Sequence, residues 1–98
     1  MKFEIYYAPS TREHIKALSA RDRTAVFAAV EKNLLHEPAR ETRNRKRLHN
    51  NPFASHELRV GALRIFYRID EITCSVQIEA IGRKIRNKFL IGDEEVSL

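Results

Sequence analysis

Two short stretches of the chain hold cations at spacings suited to handling phosphate. Arg59 and Arg64 bracket a glycine in Arg59-Val60-Gly61-Ala62-Leu63-Arg64, and Arg83-Lys84-Ile85-Arg86 follows a second glycine, Gly82. A guanidinium offers a rigid fork of donors that matches two phosphate oxygens at once, and an ammonium supplies a compact point charge. The surrounding charge reinforces this reading. Residues 40–68 carry eight Lys and Arg against two Asp and Glu, and residues 83–88 add four bases and no acid, whereas residues 1–39 balance six bases against five acids. Blocks of this kind are the footprint of a polyanionic partner, because each neutralised phosphate releases condensed counterions; a solvated basic surface is the alternative. His49 and His56 flank the passage out of the first block and are the imidazoles available for proton transfer. The lone cysteine, Cys74, excludes an internal disulfide and a cysteine-based zinc site, and fits a reducing compartment. No Gly-rich phosphate loop, His-x-x-x-His pair or Gly-x-Ser-x-Gly turn is present, so neither metal nor cofactor is expected.

The elements that must position these groups follow from periodicity. Phe3, Ile5 and Tyr7 alternate with Lys2, Glu4 and Tyr6, as in a half-buried strand, and Pro9 ends it. Ser10 and Glu13 have capping-box spacing, predicting a short helix that buries Ile15 and Leu18. Ser19 and Asp22 predict the start of a second helix, whose stripe of Val26, Phe27, Val30 and Leu34 recurs at three- and four-residue steps before Pro38. Residues 39–55 read as a long, irregular basic loop with Arg40, Arg43, Arg45, Lys46 and Arg47, anchored by Leu48 and Phe53. Residues 56–60 and 62–69 read as a hairpin turned at Gly61. Leu63, Ile65, Tyr67 and Ile69 share one face; Ala62, Arg64, Phe66 and Arg68 share the other. Residues 73–81 form a third strand, with Cys74, Val76, Ile78 and Ala80 facing the core. The segment after Gly82 is compatible with a turn, a helix or a short strand. The expectation is one α+β domain over residues 1–98, an N-terminal strand and helical hairpin packed on a mainly antiparallel sheet. No signal-peptide pattern or membrane-length apolar run is present, predicting a soluble cytoplasmic protein.

The hairpin Glu57-Leu58-Arg59-Val60-Gly61-Ala62-Leu63-Arg64-Ile65-Phe66-Tyr67, followed by Ile81-Gly82-Arg83-Lys84-Ile85-Arg86, resembles the signature of the RelE/ParE toxin superfamily. The likeness extends over nearly the whole chain in length, element order and central basic loop. It implies a microbial ribonuclease-like fold and a toxin held inactive by a cognate antitoxin. RelE-like members cleave messenger RNA in the ribosomal A site without a metal; ParE-like members share the fold and poison DNA gyrase.

For a RelE-like enzyme the substrate's own 2′-hydroxyl is the nucleophile, so the protein must supply a proton acceptor, a proton donor and cations for the phosphorane. The resemblance assigns Arg64 to the phosphate and Arg59 and Lys84 to the neighbouring catalytic positions. Arg43, Arg45, Lys46, Arg47, Arg68, Arg83, Arg86 and Phe89 become RNA contacts, the phenyl ring by stacking. The sequence departs from the family at its end: Phe89-Leu90 stands where many family nucleases carry a tyrosine or histidine. Proton transfer then falls to His56, His49, Glu57 or a Lys84 buried beside other cations. The same departure motivates the two alternatives, gyrase inhibition and a degenerate RNA- or antitoxin-binding module.

Overall fold

The computed structural model describes residues 1–96. The element order is β1 (Glu4–Tyr7), α1 (Thr11–Lys16), α2 (Ala20–Leu34), β2 (Arg45–Arg47), β3 (His56–Val60), β4 (Leu63–Asp70), β5 (Ser75–Ile85), β6 (Lys88–Ile91) and β7 (Glu94–Glu95). This is the expected α+β architecture: two helices on a mainly antiparallel sheet ordered β2-β3-β4-β5-β6-β7, with β1 lying parallel to β5. The first half of β5 carries β1 (Glu4 opposite Ser75, Tyr7 opposite Ile78), and its last residues carry β6 (Arg83 opposite Leu90, Ile85 opposite Lys88).

Burial of apolar side chains divides between the two faces of the sheet. On the helix side, Val26, Val30 and Leu34 of α2 pack with Phe3, Leu58, Leu63, Ile65, Tyr67, Val76, Ile78 and Ile81. On the other side a smaller cluster joins Phe66, Ala80 and Phe89 to Ala54, with Leu48, Phe53, Ile91 and Val96 against it. Each fully buried aliphatic chain contributes about 1.5–3 kcal/mol relative to exposure, so the helix-side cluster dominates stability. Phe27 departs from the expected stripe: it is 42% exposed and lies edge-on to Tyr7, 5.7 Å between centroids.

Three local expectations change, and one left open is decided. Ser10 has helical dihedrals and makes no side-chain cap; its hydroxyl donates to Glu79 O instead, while Thr11 Oγ1 donates to Ala8 O at 2.6 Å. Ser19 does cap α2, accepting from the Asp22 N–H at 3.1 Å. The basic loop is not wholly irregular, since Arg45–Arg47 pairs with β3 as an edge strand. A bulge shifts the β4–β5 register, Phe66 facing Ala80 but Tyr67 facing Ile78, so Glu79 is the extra residue. Beyond it every side chain of β5 changes face: Ala80 joins Phe66 rather than the helix-side core, and Ile81 takes the core position. The segment after Gly82 is strand. β5 runs on to Ile85, and the two-residue turn Arg86-Asn87, with Arg86 at φ 58°, leads into β6.

Candidate active site

The face of the sheet away from the helices carries a cleft of about 710 Å³. It is lined by Leu48, His49, Asn51, Glu57, Arg64, Phe66, Lys84, Asn87, Lys88, Phe89, Glu95 and Val96. Strand alternation builds it. Glu57 stands opposite Phe66, Arg64 opposite Gly82, and Lys84 opposite Phe89, so residues from four adjacent strands (β3, β4, β5 and β6) converge on one side. Without the bulge, Gly82 and Lys84 would face the helices.

Arg64 is the most constrained cation. Its side chain is 13% exposed, and Nη1 donates to Gly61 O (2.8 Å) and Leu63 O (2.9 Å) of its own turn. Nε is buried beside Glu57 Oε1 at 3.5 Å without a hydrogen bond, and Nη2 makes none among the described residues. Such a guanidinium is held in place before any ligand arrives and keeps a donor for it, which is the preorganisation electrostatic catalysis requires. Glu57, 12% exposed, lies between two cations, Arg64 and Arg59, whose Nε is 3.9 Å away. Arg59 itself is half-exposed and does not line the cleft, so it bears on the site through Glu57.

Lys84 and Lys88 add charge at the β5–β6 end, and both are exposed. The Lys84 buried among cations that sequence reasoning asked for is not formed; the proton-transfer groups lining the cleft are Glu57, held between two arginines, and the exposed His49 and Glu95. His56 is placed on the opposite face. It is 8% exposed, stacks on Tyr67 at 5.4 Å, and its Nδ1 is 2.9 Å from Ser55 Oγ. Burial lowers its pKa, helped by Arg47 and opposed by Glu41 and Glu71. Its role is in the core, and the reason is parity: His56, Leu58 and Val60 alternate with Glu57 and Arg59.

The expected RNA contacts separate in the same way. Arg43, Lys46 and Arg86 are exposed, and Lys46 pairs with Glu57 on the cleft side. Arg45 instead holds the end of α2, Nη1 donating to Asn33 O (2.7 Å) and Glu37 O (3.0 Å). Arg47 pairs opposite His56, away from the cleft. Arg83 reaches back to Asp22 in the first turn of α2. Arg68 donates to Pro52 O at 2.6 Å, tying down a loop. Phe89 lines the cleft but is 8% exposed and packs edge-on against Phe66 at 5.0 Å, making it a wall rather than a free stacking platform.

Sequence reasoning missed Asn51, Asn87, Lys88 and Glu95 as cleft residues. Lys88 was legible as charge; the others needed the hairpins that bring them in. It also missed His14 of α1. Its Nδ1 accepts the Ile81 N–H at 3.2 Å, closing the stretch of β5 between β1 and β6, and burial lowers its pKa.

Among the described residues, no three His, Cys, Asp or Glu side chains come together as a cation would require, and no helix is long and apolar enough to cross a membrane. Neither a family model nor a curated protein matches the chain. Solved structures do. A chain of the toxin–antitoxin complex RelBE2 from Mycobacterium tuberculosis is 24% identical, with a TM-score of 0.73 over 86% of this chain and 100% of that one. A chain of the archaeal RelE–RelB complex from Pyrococcus horikoshii is 16% identical, with a TM-score of 0.70 over 88% and 99%. A mutant of the E. coli toxin RelE in the free state is 18% identical, with a TM-score of 0.65 over 85% and 84%. The fold is that of RelE.

Proposed function

We propose that the chain is the toxin of a toxin–antitoxin pair and a metal-independent, ribosome-dependent endoribonuclease of the cytoplasm that cleaves messenger RNA in the ribosomal A site. The observation carrying this reading is the convergence of Arg64, Glu57, Lys84 and His49 on one cleft in a RelE fold. Glu57 accepts the proton of the substrate 2′-hydroxyl. The 2′-oxygen attacks the adjacent phosphorus, and Arg64 and Lys84 hold the charge that grows on the non-bridging oxygens. The P–O5′ bond breaks, and His49 protonates the departing 5′-oxygen, leaving a 2′,3′-cyclic phosphate and a 5′-hydroxyl. Lys46, Arg43 and Arg86 serve the flanking phosphates.

The antitoxin follows from the same likeness, since two of the neighbours are solved as RelE–RelB-type complexes. A second cleft, of about 680 Å³ between β1 and α2, is lined by Phe3, Ile5, Tyr7, Phe27, Val30 and Leu35 together with the charged Lys2, Glu4 and Glu31, and offers a groove for its segment. Primer extension on programmed ribosomes tests the nuclease reading. Codon-dependent breaks with cyclic-phosphate ends, lost in Arg64→Ala, are expected. Intact messenger together with trapped gyrase–DNA complexes would establish the gyrase alternative suggested by Phe89-Leu90, and intact messenger without toxicity the degenerate module.

A further inference from the structure

The loop at the cleft rim is more tightly built than its sequence suggests. Leu48 N–H donates to Ser55 O at 2.8 Å, closing residues 48–55 into a compact loop at the β2–β3 end. Within it Asn50 takes a φ of 57°, Arg68 clamps Pro52 O, and Phe53 packs against the Phe66–Phe89 cluster. Asn51 lines the cleft, and its Oδ1 accepts two backbone N–H groups, from Phe53 and Ala54, each at 3.1 Å. Both lone pairs of the amide oxygen are therefore committed, which also fixes which end of the amide is nitrogen. Nδ2 makes no hydrogen bond among the described residues. Asn51 is thus a neutral donor held rigidly at the rim, unable to present its acceptor.

We propose that Asn51 reads the nucleobase beside the phosphate held by Arg64 and selects bases presenting a carbonyl edge, guanine or uracil, over adenine and cytosine, which present an amino group there. The charged groups of the cleft already serve phosphate, and a neutral amide suits a base edge. Guanine shows O6 and N7 as acceptors and uracil shows O4, whereas adenine and cytosine place N6 and N4 donors at the corresponding positions. An asparagine free to use both ends of its amide would suit adenine; the tied Oδ1 removes that option. The inference rests on the nucleolytic reading only for RNA being the polymer.

Titration of the full chain with each of the four nucleoside 3′-monophosphates, followed by amide NMR, tests it without requiring cleavage. Wild type is expected to bind 3′-GMP and 3′-UMP about three- to tenfold tighter than 3′-AMP and 3′-CMP, the worth of a single hydrogen bond, with the Asn51 side-chain amide shifting. Asn51→Asp keeps an oxygen for the Phe53 and Ala54 N–H groups and replaces the donor by an acceptor, so the ranking reverses even if the added charge weakens all four. Asn51→Ser keeps a short acceptor for the loop and flattens the ranking. Equal affinities, the same ranking in wild type and Asn51→Asp, or no binding by wild type would each overturn the proposal. Base discrimination with intact messenger on ribosomes would leave Asn51 as a base reader and overturn the cleavage reading instead.

Discussion

Gly82 lies directly beneath the ring of Phe89: a Cβ placed on Gly82 would stand 2.5 Å from Phe89 Cζ and still closer to Leu90 O. The glycine between the two basic motifs is therefore a packing requirement of the β5–β6 pair. Gly82→Ala must push Phe89 off Phe66 or part the strands, and a backbone carbonyl cannot swing away as a side-chain tip can. A loss of about 1–3 kcal/mol is expected, the range for overpacking a core. In a chain of this size that lowers the melting temperature by roughly 4–8 °C per kcal/mol. An unchanged thermal midpoint would show that the pair opens freely.

Arg83 and Lys84 are neighbours in sequence with opposite duties, so paired substitutions should separate them. Arg83 ties β5 to Asp22 on the helix side, whereas Lys84 faces the cleft and is exposed. Arg83→Ala is expected to lower stability by up to about 1 kcal/mol, the ion pair being partly solvated, and to leave RNA affinity nearly unchanged. Lys84→Ala should leave the thermal midpoint in place, weaken RNA binding and flatten its dependence on salt by about one phosphate contact. Urea denaturation and RNA titration at several salt concentrations measure both; equal losses of affinity would mean that Arg83 leaves Asp22 when RNA binds.

This contrast marks what the sequence could and could not reveal. Period-two alternation identified β3 and β4 and placed Arg64 and Phe66 together, because a half-buried strand advertises its faces. It misplaced Ala80, since a bulge at Glu79 has no side-chain signature and reverses everything after it. His49 and His56 looked equivalent as imidazoles beside a loop; strand parity turned His56 to the helix side, whereas His49 lies in the loop that borders the cleft. β2 is too short to show a period. The turn at Arg86-Asn87 lacks the usual glycine, so β6 was not distinguishable from a basic tail.

Glu57 and Arg64 form a pair whose loss should be asymmetric. Glu57→Gln keeps the shape of the side chain and removes the proton acceptor, so cleavage is expected to fall about 10²–10⁴-fold, with RNA affinity equal to or above wild type because a carboxylate has left a phosphate site. Arg64→Ala should cost about 10²–10³-fold in turnover, and Arg64→Lys should recover little because an ammonium lacks the fork. Single-turnover cleavage with RNA titrations in parallel measures both. Full activity in Glu57→Gln would exclude it as the base and pass that role to His49 or Glu95, the other proton acceptors lining the cleft.

Two imidazoles, His56 buried and His14 half-buried, should make the fold sensitive to acid. His14 accepts the Ile81 N–H through Nδ1 and so must be unprotonated there, and His56 is buried against Tyr67; burial lowers both pKa values below 6.5. A group with a depressed folded-state pKa binds a proton more readily when unfolded. Its contribution is complete above the unfolded pKa and is lost as pH falls through the folded one. Unfolding free energy is thus expected to be flat in these groups above about pH 7 and to decline below the ordinary histidine value of about 6.5. His14→Gln places an amide oxygen near the Ile81 N–H without a titrating group, and His56→Phe preserves a ring on Tyr67. Each should reduce the acid slope, and the double variant should reduce it most. Chemical denaturation between pH 5 and pH 8, in steps of about half a unit, resolves the slopes; an undiminished acid slope in the double variant would assign the sensitivity to carboxylates.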